Sequence, residues 1–206
     1  MSNPFVGLRP FRSTESTLFF GRSRDIAVLQ NLVLSVSVFV LYAPSGIGKS
    51  SLLNAGLLPT IEQDPTLLPI VASDPRENVA QTVRRKLAEI GWANDTQAEN
   101  GKFAELLEQH LAATGQRVVL ILDQFEERLK QRETLEALYA EIARLANTRS
   151  EAATVIISIR EDYLAGLENL MRRVAGLLDA SYRVPSLPRP ALAQAVYDHL
   201  RSRTPK

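Results

Sequence analysis

Eight consecutive residues, Ala43-Pro44-Ser45-Gly46-Ile47-Gly48-Lys49-Ser50, have the types and order needed to hold a chain of phosphates. Gly46 and Gly48 let several backbone N–H groups turn toward one point, and a helix that follows adds its positive end. A lysine amine at 49 can reach the β- and γ-phosphates of a nucleoside triphosphate, and a serine hydroxyl at 50 can ligate the accompanying Mg²⁺. The contact set expected from the motif runs from Ala43 through Ser50 and on to Ser51. Ala43 stands where the pattern usually opens with glycine, which reduces backbone freedom there without removing the cradle.

Holding a triphosphate is not yet chemistry. Asp123 ends the apolar run Val118-Val119-Leu120-Ile121-Leu122, and a carboxylate at a strand end is suited to holding Mg²⁺ through water. The alternative is that Asp123 caps the next helix. Hydrolysis also requires a group that polarises water. Gln124 occupies the place where many ATPases carry a glutamate, so the candidates are Glu126, which is favoured, and Glu127; both could instead simply complement a helix dipole. Arg160 ends the run Val155-Ile156-Ile157-Ser158-Ile159. There it could sense a γ-phosphate, or it could form a surface pair with Glu161 or Asp162, although Asp162 is expected to cap the helix that follows. The catalytic set expected is therefore Lys49, Glu126 or Glu127, and Arg160, with Ser50 and Asp123 on the metal.

These residues need a scaffold that brings strand ends together. Residues 38–42, 68–72, 118–122 and 154–159 read as buried strands, with a fifth at 182–184. Between them, Ser23 is expected to cap a helix carrying Ile26, Leu29, Leu32 and Val33. A second helix over 50–58 should stop at Pro59. Asp74-Pro75-Arg76-Glu77 should start a helix that aligns Val79, Val83, Leu87 and Ile90. Further stripes are Phe103, Leu106, Leu107, His110 and Leu111, then Leu135, Leu138, Ile142 and Leu145. Strands alternating with helices predict a three-layer αβα sandwich around a parallel sheet. The strand at 68–72, lying between the phosphate loop and Asp123, suggests by analogy five strands in the order 5-1-4-3-2. Residues 94–101 are polar and read as an exposed loop.

Composition narrows the function. The chain has 206 residues, 45% hydrophobic and 23% charged, with a net charge of +1. That charge offers no strong field for nucleic acid or an anionic membrane. There is no cysteine, which rules out disulfides and thiolate metal sites. His110 and His199 are the two imidazoles; both are expected to be satisfied boundary residues and not ligands. No signal peptide and no span long enough for a bilayer are visible, so a cytoplasmic protein is expected. Arg84-Arg85-Lys86 and Arg172-Arg173 read as solvated helix faces, and Trp92 as a packing plug.

Taken together, the motifs resemble the STAND class of signalling ATPases, and within it the N-terminal domain of the bacterial novel STAND NTPases. The residues that carry the likeness are Asn3-Pro4-Phe5-Val6-Gly7-Leu8-Arg9-Pro10-Phe11 and Phe19-Phe20-Gly21-Arg22 in an N-terminal arm. They continue with the phosphate loop and its extension to Pro59, Leu122-Asp123-Gln124-Phe125-Glu126-Glu127, Arg160-Glu161-Asp162-Tyr163, and Val184-Pro185-Ser186-Leu187-Pro188. The resemblance implies that the arm over 1–22, with Gly21 and Arg22, borders an adenine. It implies a core over 23–188 in which Arg160 reads the γ-phosphate, and a helical lid that opens at Pro188 and starts over 189–206. It also implies self-association or downstream sensor and effector domains as partners, so that the chain reads either as an excised domain or as a stand-alone version. The expected function is an ATP-driven switch with slow hydrolysis, and the alternative is a catalytically silent nucleotide-binding module that controls oligomerisation or recruitment. A GTPase is disfavoured because no Asn-Lys-x-Asp motif occurs. A small-molecule kinase lacks its arginine-rich lid, and a DNA translocase lacks its basic channel.

Overall fold

The computed structural model describes residues 9–92, 102–187 and 197. Residues 1–8 of the arm, the loop at 94–101, Pro188, the start of the lid over 189–206 and His199 lie outside the described residues.

Five strands, β1 (Val38–Ala43), β2 (Leu67–Ala72), β3 (Arg117–Leu122), β4 (Ala153–Arg160) and β5 (Ser181–Arg183), form one sheet. All the pairings are parallel, and the order is β2-β3-β4-β1-β5, which is the expected 5-1-4-3-2 read from the other edge. Helix α1 (Ser23–Ser35) precedes β1, and α2, over 49–62, follows the phosphate loop. Then come α3 (Val79–Glu89), α4 (Ala104–Thr114), the single turn α5 (Phe125–Arg128), α6 (Arg132–Asn147) and α7 (Glu168–Arg173).

The strands are apolar on both faces, and their alternate residues enter two different cores. Phe39, Leu41, Val119, Ile121 and Ile156 point to one side, where Leu29 and Val33 of α1 and Leu52, Leu53, Leu57 and Ile61 of α2 cover them. Val38, Val40, Leu120, Leu122, Val155 and Ile157 point to the other, against Val83, Leu107, Ile142, Leu145 and Leu170. Each of these buried apolar side chains contributes about 1.5–3 kcal/mol by leaving water. The result is the three-layer sandwich. No helix among the described residues is long and apolar enough to cross a membrane.

Three local expectations are corrected. Pro59 does not stop the second helix. Residues Leu52–Leu57 widen into π geometry, with the Leu58 N–H donating to the Leu53 carbonyl, and the helix continues through Leu58–Glu62. The extra residue in that turn accommodates a proline ring that would otherwise strike the carbonyl four residues back, and the Thr60 hydroxyl donates to the Leu57 carbonyl at 2.7 Å. Asp74 closes a turn by accepting from the Arg76 N–H at 2.9 Å, whereas Asn78 caps α3 by accepting from the Ala80 N–H at 2.9 Å. Ile90, beyond the end of α3, is consequently exposed. Arg22, not Ser23, holds the cap position of α1, without a side-chain cap.

Candidate functional site

Register brings the chemistry to the carboxyl edge of the sheet. Ala43 at the end of β1 lies opposite Arg160 at the end of β4, and Leu122 of β3 lies opposite Ile157. The next residues on those strands, Asp123 and Ser158, therefore meet, and the buried Ser158 hydroxyl donates to Asp123 Oδ1 at 2.7 Å. Sequence reasoning passed over Ser158; its one signal was a hydroxyl inside an otherwise aliphatic strand.

Beyond Ala43 the chain turns through Gly46 (φ +81°) and Gly48 (φ +96°) before α2 begins. A Cβ at either position would meet no atom within 4 Å, so space does not require glycine there. The left-handed backbone does. Ile47 between them packs its side chain on the α1–α2 core. The Lys49 ammonium folds back over the loop and donates to the Ala43 carbonyl at 3.1 Å. Burial pushes its pKa down, opposed by the charges of Glu126 and Asp123.

After Asp123 the backbone reverses through Gln124, a non-glycine residue in the left-handed region (φ +52°). Such a conformation costs about 1–3 kcal/mol, offset here by what it positions. Phe125 drops into the core and stacks on Tyr139 with centroids 6.2 Å apart. One residue on, Glu126 is swung back under the strand ends, buried to 8% exposure, and its Oε2 accepts the Arg160 N–H at 3.2 Å. Glu127 faces away and pairs with Lys130 at 2.5 Å. Arg128 turns inward and donates to the carbonyls of Ala72, Asp74, Pro75 and Glu77 at 2.8–3.2 Å. Neither the role of Arg128 nor the choice between the two glutamates had a local signature.

These residues line a cleft of about 580 Å³, walled by Ser45, Gly46, Gly48, Lys49, Ser50, Ser51, Asp123, Gln124, Glu126 and Arg160 and closed on one side by Arg9, Pro10 and Phe11. The Phe11 N–H donates to the Ser51 hydroxyl at 3.1 Å, and the Phe11 ring leans on Phe19. Ala43, Pro44, Ile47 and Glu127 are not on the cleft wall. Gly21 and Arg22, expected beside a base, are not on it either. Arg22 is buried behind the loop, and among the described arm residues Arg9, Pro10 and Phe11 reach the cleft. The Arg160 guanidinium is held by Asp162, through Nε at 3.1 Å and Nη2 at 2.6 Å, and lies over the Tyr163 ring. Asp162 thus pairs with Arg160 in place of the capping role expected of it. Glu161 pairs with Arg183.

Among the described residues no three or more His, Cys, Asp or Glu side chains gather to hold a metal by themselves. One carboxylate and one hydroxyl beside a phosphate cradle fit Mg²⁺, a hard ion that keeps waters and shares itself with phosphate oxygens.

The model of the family described as Novel STAND NTPase 1 matches residues 4–203. No curated protein sequence matches the chain. Among solved structures, the ORC1 protein of Aeropyrum pernix in complex with DNA is similar at a TM-score of 0.64 and 19% identity, over 93% of this chain and 53% of that one. The ORC2 protein of the same organism, in its ADPNP-ADP complexes, aligns at 0.65 and 13%, over 96% and 54%. The Walker-type ATPase PABY2304 of Pyrococcus abyssi aligns at 0.66 and 15%, over 95% and 61%. At these identities the likeness is one of fold, that of P-loop ATPases. The chain spans little more than half the length of the first two.

Proposed function

Because the chain belongs to the novel STAND NTPase 1 family, and so is an NTPase-type module, we propose that it binds ATP with Mg²⁺ in the cleft at the carboxyl edge of the sheet and hydrolyses it slowly as a switch. The observation that carries this reading is the convergence of Lys49, Ser50, Asp123, Glu126 and Arg160 on one cleft beside the glycine loop.

In this reading the loop N–H groups and Lys49 hold the β- and γ-phosphates, leaving the Ala43 carbonyl for the phosphate oxygens. Ser50 and Asp123 would hold Mg²⁺, with Ser158 fixing the carboxylate; the bound metal would supply positive charge beside the phosphates. Glu126 takes the proton from a water in line with the γ-phosphate, as an acceptor fixed by the Arg160 N–H. The water oxygen bonds to the γ-phosphorus as its bond to the β–γ bridging oxygen breaks; ADP leaves with that oxygen, and phosphate leaves with the oxygen of the water. Arg160 exchanges its pair with Asp162 for the γ-phosphate, so the two arrangements of one guanidinium distinguish the triphosphate from the diphosphate. Self-association or attached sensor and effector regions would read that difference. In this reading Arg9, Pro10 and Phe11, which line the cleft, are the arm residues that border the base.

Hydrogen bonds to charged groups are worth about 1.5–3 kcal/mol, so Lys49→Ala is expected to weaken ATP binding about ten- to a hundredfold. Unchanged affinity by calorimetry would sink the assignment. Gln124, in the place of a glutamate, favours a second reading in which nucleotide is bound but never cleaved. Single-turnover phosphate release from purified protein separates the two, since a silent module releases nothing above background.

A further inference from the structure

Arg22 is a buried arginine that does not reach the cleft, 5% exposed, and its guanidinium holds three segments together. Nη1 donates to Asp25 of α1 at 3.1 Å and to the Pro185 carbonyl after β5 at 2.7 Å. Nη2 donates to the Ile47 carbonyl, in the middle of the phosphate loop, at 3.0 Å. Asp25 is itself buried and also accepts from the Tyr182 hydroxyl of β5, so the carboxylate that orients Arg22 is held in turn.

A peptide unit is planar, and in the trans form its C=O and N–H point in opposite directions; the described residues contain no cis peptide. The unit that presents the Ile47 carbonyl to Arg22 therefore turns the Gly48 N–H the other way. Gly48 lies on the cleft wall, whereas Ile47 lies off it with its half-buried side chain packed against the core. With left-handed glycines on both sides of Ile47, this is the part of the loop whose peptide planes are freest to flip. A flipped plane would aim a carbonyl oxygen at the phosphates.

We propose that Arg22 is the positioning residue of the phosphate cradle: from behind the loop it fixes the Ile47–Gly48 peptide so that its N–H faces the cleft. The proposal rests on the reading of the cleft as a triphosphate site. It gives Arg22 a role separate from recognition of a base, because the same carbonyl is held whatever is attached to the phosphates.

Arg22→Ala would strand the Asp25 carboxylate in the interior, so the informative variant is the double substitution Arg22→Met with Asp25→Asn. It removes the buried pair and leaves an acceptor for Tyr182. Affinities for ATP, ADP and inorganic triphosphate, each with Mg²⁺, are measured by calorimetry alongside the melting temperature. If the freed peptide spends about nine-tenths of its time flipped, affinity falls about tenfold, and by the same factor for all three probes. Wild-type affinity in the folded double variant overturns the proposal and leaves Arg22 a structural tie. A loss seen with ATP and ADP but not with inorganic triphosphate also overturns it, in favour of a base contact. Arg22→Lys serves if the double variant melts below the assay temperature. An ammonium lacks the planar fork that spans Asp25, Pro185 and Ile47, so the same uniform loss is expected, and wild-type affinity there is equally fatal. Lys49→Ala is the control: if it too binds normally, the triphosphate reading has failed, and not the role of Arg22 alone.

Discussion

Replacing Glu126 by glutamine keeps the shape of the side chain and leaves an amide oxygen to accept the Arg160 N–H, the contact now made at 3.2 Å. The loop and its backbone should therefore stay in place. What disappears is the capacity to take a proton. A positioned base is worth about 10²–10⁴ in rate, or about 2.7–5.4 kcal/mol of barrier at 1.36 kcal/mol per tenfold. Removing one negative charge near Lys49 should leave ATP binding as strong or slightly stronger, because that carboxylate opposes the triphosphate. Glu127→Gln supplies the contrast. Its carboxylate is 43% exposed and paired with Lys130, a contact worth no more than about 1 kcal/mol, and it stands outside the cleft. Single-turnover phosphate release under saturating ATP and Mg²⁺, with affinity measured in parallel, should show Glu126→Gln slowed at least a hundredfold and Glu127→Gln within twofold of wild type. Equal rates for Glu126→Gln and wild type, or an equal fall in both variants, would refute the assignment of Glu126.

Two further predictions concern what surrounds the site. A Cβ at Gly166 would lie 2.3 Å from Leu129 Cδ1, so Gly166→Ala must turn aside the end of that half-buried leucine; denaturant titration should show a loss of no more than about 1.5 kcal/mol. His110 is fully buried with Nδ1 unpartnered and its ring edge-on to Trp92, and burial lowers its pKa from the ordinary 6.5. The unfolded chain thus takes up a proton that the folded chain resists: the stabilising difference is intact above pH 6.5 and is lost as pH falls through 6.5 toward the folded value. At pH 5.5 it removes at most about 1.4 kcal/mol, and His110→Leu should melt with a correspondingly shallower pH dependence between 7.5 and 5.5. Parallel curves for the two proteins would show that His110 does not titrate as described.

The strands were legible because a parallel strand buried on both faces needs few polar residues, so β1, β3 and β4 read as mainly aliphatic and aromatic runs. The phosphate loop was legible because its glycines, lysine and serine act through local geometry. What escaped were polar residues whose partners are distant backbone atoms. Arg128 reaches carbonyls more than fifty residues earlier, Arg22 reaches Pro185, and Glu141 of α6 accepts the N–H groups of Phe103 and Ala104 at the start of α4. None of these has a spacing to recognise. Position 110 was expected at a boundary, yet helix packing buries it, with Trp92 covering the ring. The end of α2 differs from its expected place for a related reason: proline ordinarily stops a helix, and a π turn shows only in the backbone.

The strand order bears on how the molecule is made. β1 sits between β4 and β5, and the first of these begins 110 residues after β1 ends, at residue 153 against residue 43. At about 5–20 residues per second of synthesis, the segment Val38-Phe39-Val40-Leu41-Tyr42-Ala43 waits about 5–20 s for its first neighbour. Over that interval an apolar segment in which Val38, Phe39, Val40 and Tyr42 have high β propensity lacks its neighbours in the sheet, the signature of a segment prone to pair with another copy. β2 and β3 can meet well before then, since they are adjacent in both chain and sheet. A nascent chain arrested between residues 44 and 153 should therefore be a strong client for a chaperone that captures extended apolar strands, and release past residue 160 should end that dependence.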